Sequence, residues 1–145
     1  MDATRRRCLA LTAFALTPPA AQATPASMRA TALDFTGGEP WREGRVTLDV
    51  APLVENGNTV PVTVSVASAM TEADHVRAIA LFTENNPLPE VAVFTLSPKL
   101  PRAVVTTRIR LATSGRVLAL ARLGDGRCFG TQADVVVTLA ACIEG

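Results

Sequence analysis

Val60-Pro61-Val62-Thr63-Val64-Ser65-Val66 puts a valine at every second position for seven residues. A period of two is the pleat of a strand with one face buried and one face wet, so the stretch predicts a strand with Val60, Val62, Val64 and Val66 turned inward. Pro61 has no backbone donor and belongs at the start of such a strand or on an edge. Outward from this stretch the same signal recurs. Apolar or alternating runs occupy residues 46–50, 76–83, 91–96, 104–111, 116–123, 127–132 and 135–139. Turn chemistry separates them: Asn56-Gly57 after Glu55, Asn85-Asn86-Pro87, Ser97-Pro98, and Gly124-Asp125-Gly126, whose glycines suit the positive φ angles of a tight hairpin. Many short strands with regular turns and little helix predict an all-β antiparallel β-sandwich, with 45–139 as its body.

Ahead of this body, residues 24–44 form a lead-in. Ser27 is placed to cap a short helix through Ala30, Leu33 and Phe35, which Gly37-Gly38 would stop. Earlier still, Arg5-Arg6-Arg7 is followed by an apolar stretch from Leu9 to Leu16 and by Ala21-Gln22-Ala23. A basic start, a short apolar middle and an A-x-A site describe a secretory signal over 1–23, cut near Ala23. The apolar stretch is too short to span a bilayer, which takes about 20 residues. Arg5-Arg6 with Cys8-Leu9 resembles a twin-arginine signal, which implies export to a bacterial periplasm.

Once the leader is gone, 11 basic and 12 acidic residues remain. No basic run survives that could track a phosphate backbone, so nucleic acid is not an expected partner. No apolar run of the mature chain is long enough for membrane insertion.

Side chains able to do chemistry are few. His75, the only histidine, lies in Glu72-Ala73-Asp74-His75 ahead of a strand and reads as a solvated loop residue. A copper site of the two-His, one-Cys kind cannot be assembled from it, and a zinc site from His75, Cys128 and Cys142 lacks a fourth ligand and any recognisable spacing. Neither a metal nor a cofactor is expected. No serine stands in a nucleophile-elbow context, so no catalytic residue is assigned. Cys128 reads as a small apolar residue on a half-buried strand, or else as a disulfide partner for Cys142.

Cys142 is different. It stands in Ala140-Ala141-Cys142-Ile143-Glu144-Gly145, beyond the last apolar run and three residues from the chain end. Termini are poorly ordered unless tied down, so a thiol here can leave its own protein and enter a pocket on another. Glu144 and the terminal carboxylate disfavour the thiolate, which fits a thiol activated inside a visited enzyme better than one that reacts at home.

Several stretches resemble the Y subunit of the sulfur-oxidation (Sox) carrier. They are Glu55-Asn56-Gly57 with Val60-Pro61-Val62-Thr63-Val64, Glu84-Asn85-Asn86-Pro87 with Val93-Phe94-Thr95-Leu96, Thr107-Arg108-Ile109-Arg110, and Phe35-Thr36-Gly37-Gly38. The resemblance implies an immunoglobulin-like sandwich that pairs with a Z subunit as a heterodimer. It also implies that Cys142, on a flexible arm of Ala140, Ala141, Ile143, Glu144 and Gly145, holds sulfur intermediates covalently and presents them to enzymes of thiosulfate oxidation. The family arm reads Gly-Gly-Cys-Gly-Gly. Here the glycines are absent, and the ending resembles that of a related group with an Ala-Ala-Cys-Ile-Glu arm. Glycine gives freedom and a narrow profile, whereas Ala, Ile and Glu stiffen the arm, thicken it and add a charge.

The expected function is therefore a periplasmic carrier without turnover of its own. The alternative from another class is an immunoglobulin-like binding or assembly module, in which a Cys128–Cys142 disulfide is structural.

Overall fold

The computed structural model describes residues 22–139 of the 145-residue chain. Helix α1 (Pro25–Phe35) comes first. Its cap is Thr24, not Ser27: the Thr24 Oγ1 accepts the Ser27 amide at 3.1 Å, and the Ser27 Oγ accepts the Thr24 amide at 2.7 Å. Ser27 is thus the far half of a capping box, three residues inside the helix. Pro25 suits the first turn, where its missing donor is not needed. At the other end Gly38 donates to the Leu33 carbonyl at 2.8 Å and Gly37 to that of Asp34 at 3.2 Å. Both glycines have positive φ, 72° and 87°, and the two bonds close the helix in a Schellman motif.

Two sheets follow. One has three strands in the order β2 (Val46–Asp49), β4 (Val60–Val66), β7 (Ala103–Ile109). The other has six strands: β1 (Arg42–Glu43), β9 (Cys128–Leu139), β8 (Gly115–Leu123), β5 (Val76–Thr83) and β6 (Glu90–Thr95) in order, with β3 (Leu53–Asn56) also on β9. Most pairs are antiparallel as expected. Two are not: β1 and β3 both run parallel to β9. They share the edge of β9 that β8 leaves open, β1 beside Phe129 and Gly130 and β3 beside Val136 to Leu139. Between them the chain crosses to the other sheet as β2. A twelve-residue strand would otherwise present a long unpaired edge.

The two runs expected at 127–132 and 135–139 are a single strand, β9. Ala133 and Asp134 keep the ladder with Val117 and Arg116, and the exposed Arg116–Asp134 pair spans it at 3.3 Å.

The sheets share one buried cluster. From the small sheet come Val60, Val62, Val64 and Val66, all at 6 % exposure or less, and from the large sheet Ile79, Leu81, Val117, Ala119, Ala121 and Val135. Pro61 is exposed at the start of β4, where only β7 lies beside it. A second cluster lies on the outer face of the large sheet, where Met28 and Ala32 of α1 meet Ala80, Phe82, Leu118 and Leu120. Phe35 meets Phe82 edge to face, with ring centres 6.0 Å apart. Among the described residues no helix is long and apolar enough to cross a membrane.

Candidate functional site

Cys142 and the rest of the arm, Ala140, Ala141, Ile143, Glu144 and Gly145, lie outside the described residues. What is described is the ground on which the arm stands. Strand β9 ends at Leu139, and its last residues are held from both sides.

On one side β3 pairs with it, Val54 opposite Val137 and Asn56 opposite Leu139. Just past β3 the Asn56-Gly57-Asn58 turn adds a further hold. The Asn56 Oδ1 accepts the Asn58 amide at 3.0 Å, which fixes the turn. Gly57 then donates to the Leu139 carbonyl at 3.0 Å and accepts from the Leu111 amide at 2.8 Å.

On the other side β8 has already stopped, its first residue Gly115 lying opposite Val135. Ser114 takes over with its side chain: its Oγ accepts the Val137 amide at 2.8 Å and donates to the Val137 carbonyl at 3.3 Å. Ser114 is placed in turn by the Glu84-Asn85-Asn86 stretch. Asn85 Nδ2 donates to the Ser114 carbonyl. Asn86 accepts from the Ala112 amide at 2.9 Å and donates to the Arg110 carbonyl at 2.8 Å. Glu84 Oε1 accepts the Arg116 amide at 3.0 Å. A Cβ on Gly115 would collide with the Asn85 amide group, so this clip also depends on that glycine. The Asn86 carbonyl accepts the Ala23 amide at 2.8 Å, which brings the start of the described chain to the same end of the molecule.

The other cysteine stands far away. Cys128 is the first residue of β9 and Leu139 the last. Eleven strand steps of about 3.3 Å separate them by roughly 36 Å. Three further residues reach at most about 11 Å beyond or back from Leu139, whereas a disulfide needs its Cα atoms within about 7 Å. A Cys128–Cys142 bridge inside one chain is therefore out of reach, which corrects the pairing that sequence spacing alone left open. Cys128 is the one cysteine among the described residues. It is buried at 4 % exposure, its Sγ 3.6 Å from the Gly126 carbonyl oxygen. Burial pushes its thiol pKa up, with Asp125 and Glu39 acting the same way and Arg122 opposing them. Such a thiol is a poor nucleophile at neutral pH.

His75 also lies at the end away from the arm. Its Nδ1 is 3.0 Å from the Thr71 carbonyl oxygen and 3.2 Å from that of Glu72, so this nitrogen carries the proton. The ring is half-buried against Gly124, where a Cβ would overlap it. The residue ends a loop, as the sequence suggested, but it is packed rather than fully solvated. Nearby, Arg45 pairs with Asp74 at 2.9 Å and lies 5.3 Å from the centre of the Phe129 ring. Among the described residues no group of His, Cys, Asp and Glu could hold a metal ion.

Sequence reasoning missed one cleft of about 240 Å³ on the outer face, lined by Arg29, Trp41, Glu43 and Gln132 among others. Arg29 stacks over Trp41 at 5.5 Å. Its nearest lining residue along β9, Gln132, lies seven strand steps before Leu139, roughly 23 Å.

Comparisons with known proteins bear on the family and the fold. The family model described as sulfur oxidation protein SoxY matches residues 32–142, a span that ends on Cys142. No curated protein matches the chain in sequence. Among solved structures, the sulfur carrier protein SoxY from Chlorobium limicola f thiosulfatophilum is 25% identical with a TM-score of 0.66, covering 79% of this chain and 98% of its own. Superoxide reductase (neelaredoxin) from Ignicoccus hospitalis is 18% identical with a TM-score of 0.58, covering 79% and 94%. A putative superoxide reductase from Thermotoga maritima is 20% identical with a TM-score of 0.56, covering 72% and 90%. At these identities the two reductases share the fold alone.

Proposed function

The chain belongs to the SoxY family of sulfur oxidation proteins, and on that footing we propose that it is a periplasmic carrier that holds a sulfur intermediate covalently on Cys142. The observation that carries this reading is the family match running through Cys142, immediately beyond a strand end held on both sides. A strand end pinned by hydrogen bonds, with a thiol three residues beyond it, suits delivery of a bound group to sites on other proteins.

In this reading residues 1–23 are a twin-arginine leader removed on export, and the body is an immunoglobulin-like sandwich. A Z-like subunit completes a heterodimer, and the arm of Ala140, Ala141, Ile143, Glu144 and Gly145 brings Cys142 to sulfur-handling or other redox enzymes. The cargo is a persulfide or an S-thiosulfonate. Joining the Cys142 sulfur to thiosulfate forms one S–S bond and releases two electrons, which the visited enzyme must accept. Turnover therefore belongs to the partners, and the carrier contributes the attachment atom. The buried, out-of-reach Cys128 argues against the alternative of a module closed by an internal disulfide.

Mass spectrometry of protein purified without reductant tests this. The expected result is added mass on the Cys142 peptide that reductant removes, no loss of 2 Da, and loss of function in Cys142→Ser with folding retained. A Cys142 that carries nothing and resists iodoacetamide until the protein unfolds would refute the carrier.

A further inference from the structure

The large apolar side chains left in solvent are not spread evenly. Leu53, Leu88, Val136 and Leu139 are 59, 69, 53 and 65 % exposed, and every other exposed large apolar side chain among the described residues stays at or below 46 %. All four lie toward the end from which the arm leaves. Leu139 is the last residue of β9, and Leu53 pairs directly with Val136 on the neighbouring β3. Leu88 lies between β5 and β6, in the loop whose Asn85 and Asn86 brace the 110–114 segment against the arm root. Leu100 and Val104, at 40 and 46 %, lie at the opposite end, next to the start of β7.

We propose that Leu53, Leu88, Val136 and Leu139 form an apolar docking rim for the enzymes that Cys142 visits, an inference that rests on the carrier reading. The argument is one of reach. Cys142 is three residues beyond Leu139, about 11 Å of fully extended chain. Any enzyme that takes this thiol into a buried site must bring its surface within that distance of Leu139, so the two bodies touch around the arm root. Exposed apolar side chains around such a root mark where another surface meets it. The fitting partner has a reacting centre no deeper than about 11 Å below its surface, with an apolar collar round the mouth. Successive strand residues point to opposite faces, so Leu139 and Val136 face apart and flank the arm root on two sides.

The test uses the full chain expressed in the cell that makes it, with Leu53→Glu/Leu88→Glu, with Leu88→Glu alone as a loop change that spares the sheet, and with Val104→Glu as a control at the far end. The readouts are the fraction of Cys142 carrying a reductant-removable adduct and the iodoacetamide rate of the reduced protein. The proposal expects a tenfold or greater fall in adduct for the double variant, a smaller fall for Leu88→Glu, no change for Val104→Glu and unchanged alkylation rates. Wild-type loading in the double variant, or an equal fall in the control, overturns it. A several-fold faster alkylation in the double variant assigns the rim to the chain's own tail, and loss of a co-purifying subunit or of a dimer in size exclusion assigns it to a subunit interface; either overturns it. Absence of any adduct on wild-type Cys142 defeats the carrier reading itself, a result distinct from equal loading.

Discussion

Gly57 donates its amide to the carbonyl of Leu139 over 3.0 Å, joining a tight turn to the last residue of the longest strand. The bond satisfies a carbonyl at the end of the ladder, and the Gly57 carbonyl passes the connection on to Leu111. Together with the Ser114 hydroxyl on the opposite side, it sets the point at which the arm begins.

Ser114→Ala should loosen that point. The Val137 amide would lose its 2.8 Å partner, and an unmet, partly buried donor costs about 1–2 kcal/mol. Hydrogen exchange at 137–139 should speed up well beyond that of the Val60–Val66 strand, and urea unfolding should report the stability loss.

Gly130→Ala should destabilise by about 1–3 kcal/mol through overpacking. A Cβ there would overlap Leu120 and lie 3.0 Å from the Trp41 ring and 3.1 Å from the Ala119 carbonyl oxygen. Trp41 is the sole tryptophan, so its emission should shift in the native variant, and the unfolding midpoint should fall.

Asp74→Asn should change the acid limb of the stability curve. The hydrogen bond from Arg45 is the largest influence on Asp74 and holds its carboxyl below the ordinary range. A lowered pKa means stability that is present above the unfolded-state value, about 3.9, and lost as pH falls through the folded one. Wild type should therefore lose stability more steeply than Asp74→Asn below about pH 4. Parallel acid limbs in urea titrations would contradict this.

Cys128→Ser should fold and cost about 1 kcal/mol, from a hydroxyl placed where a small apolar group belongs. Iodoacetamide should label Cys142 in the native protein and Cys128 only on unfolding, because burial both shields that thiol and raises its pKa.

Much of this architecture was legible because burial writes a period into sequence. Strands Val60–Val66 and Val76–Thr83 stand where alternation and a continuous apolar run put them. Arg42–Glu43 and Leu53–Asn56 were not legible: they are short and largely exposed, and they are strands only because β9 offers an edge. Asp134 interrupts the apolar runs of β9 in the sequence, yet it is an exposed rung that pairs with Arg116. At the site, position alone singled out Cys142. The roles of Asn85, Asn86 and Ser114 were invisible, since their bonds join residues 23 to 29 apart and no local pattern records such a link. Trp41 and the outer-face cleft escaped for the same reason.

The two-sided pairing of β9 also has a mechanical consequence. Were the tail to hand over a covalently held group as proposed, it would be tugged each time the proteins part, and a pull along the axis of β9 would arrive at Leu139. The rungs to β3 and β8 lie across that axis, so many of them share the load in shear rather than opening one after another. The protein should release its partner before its last strand peels away.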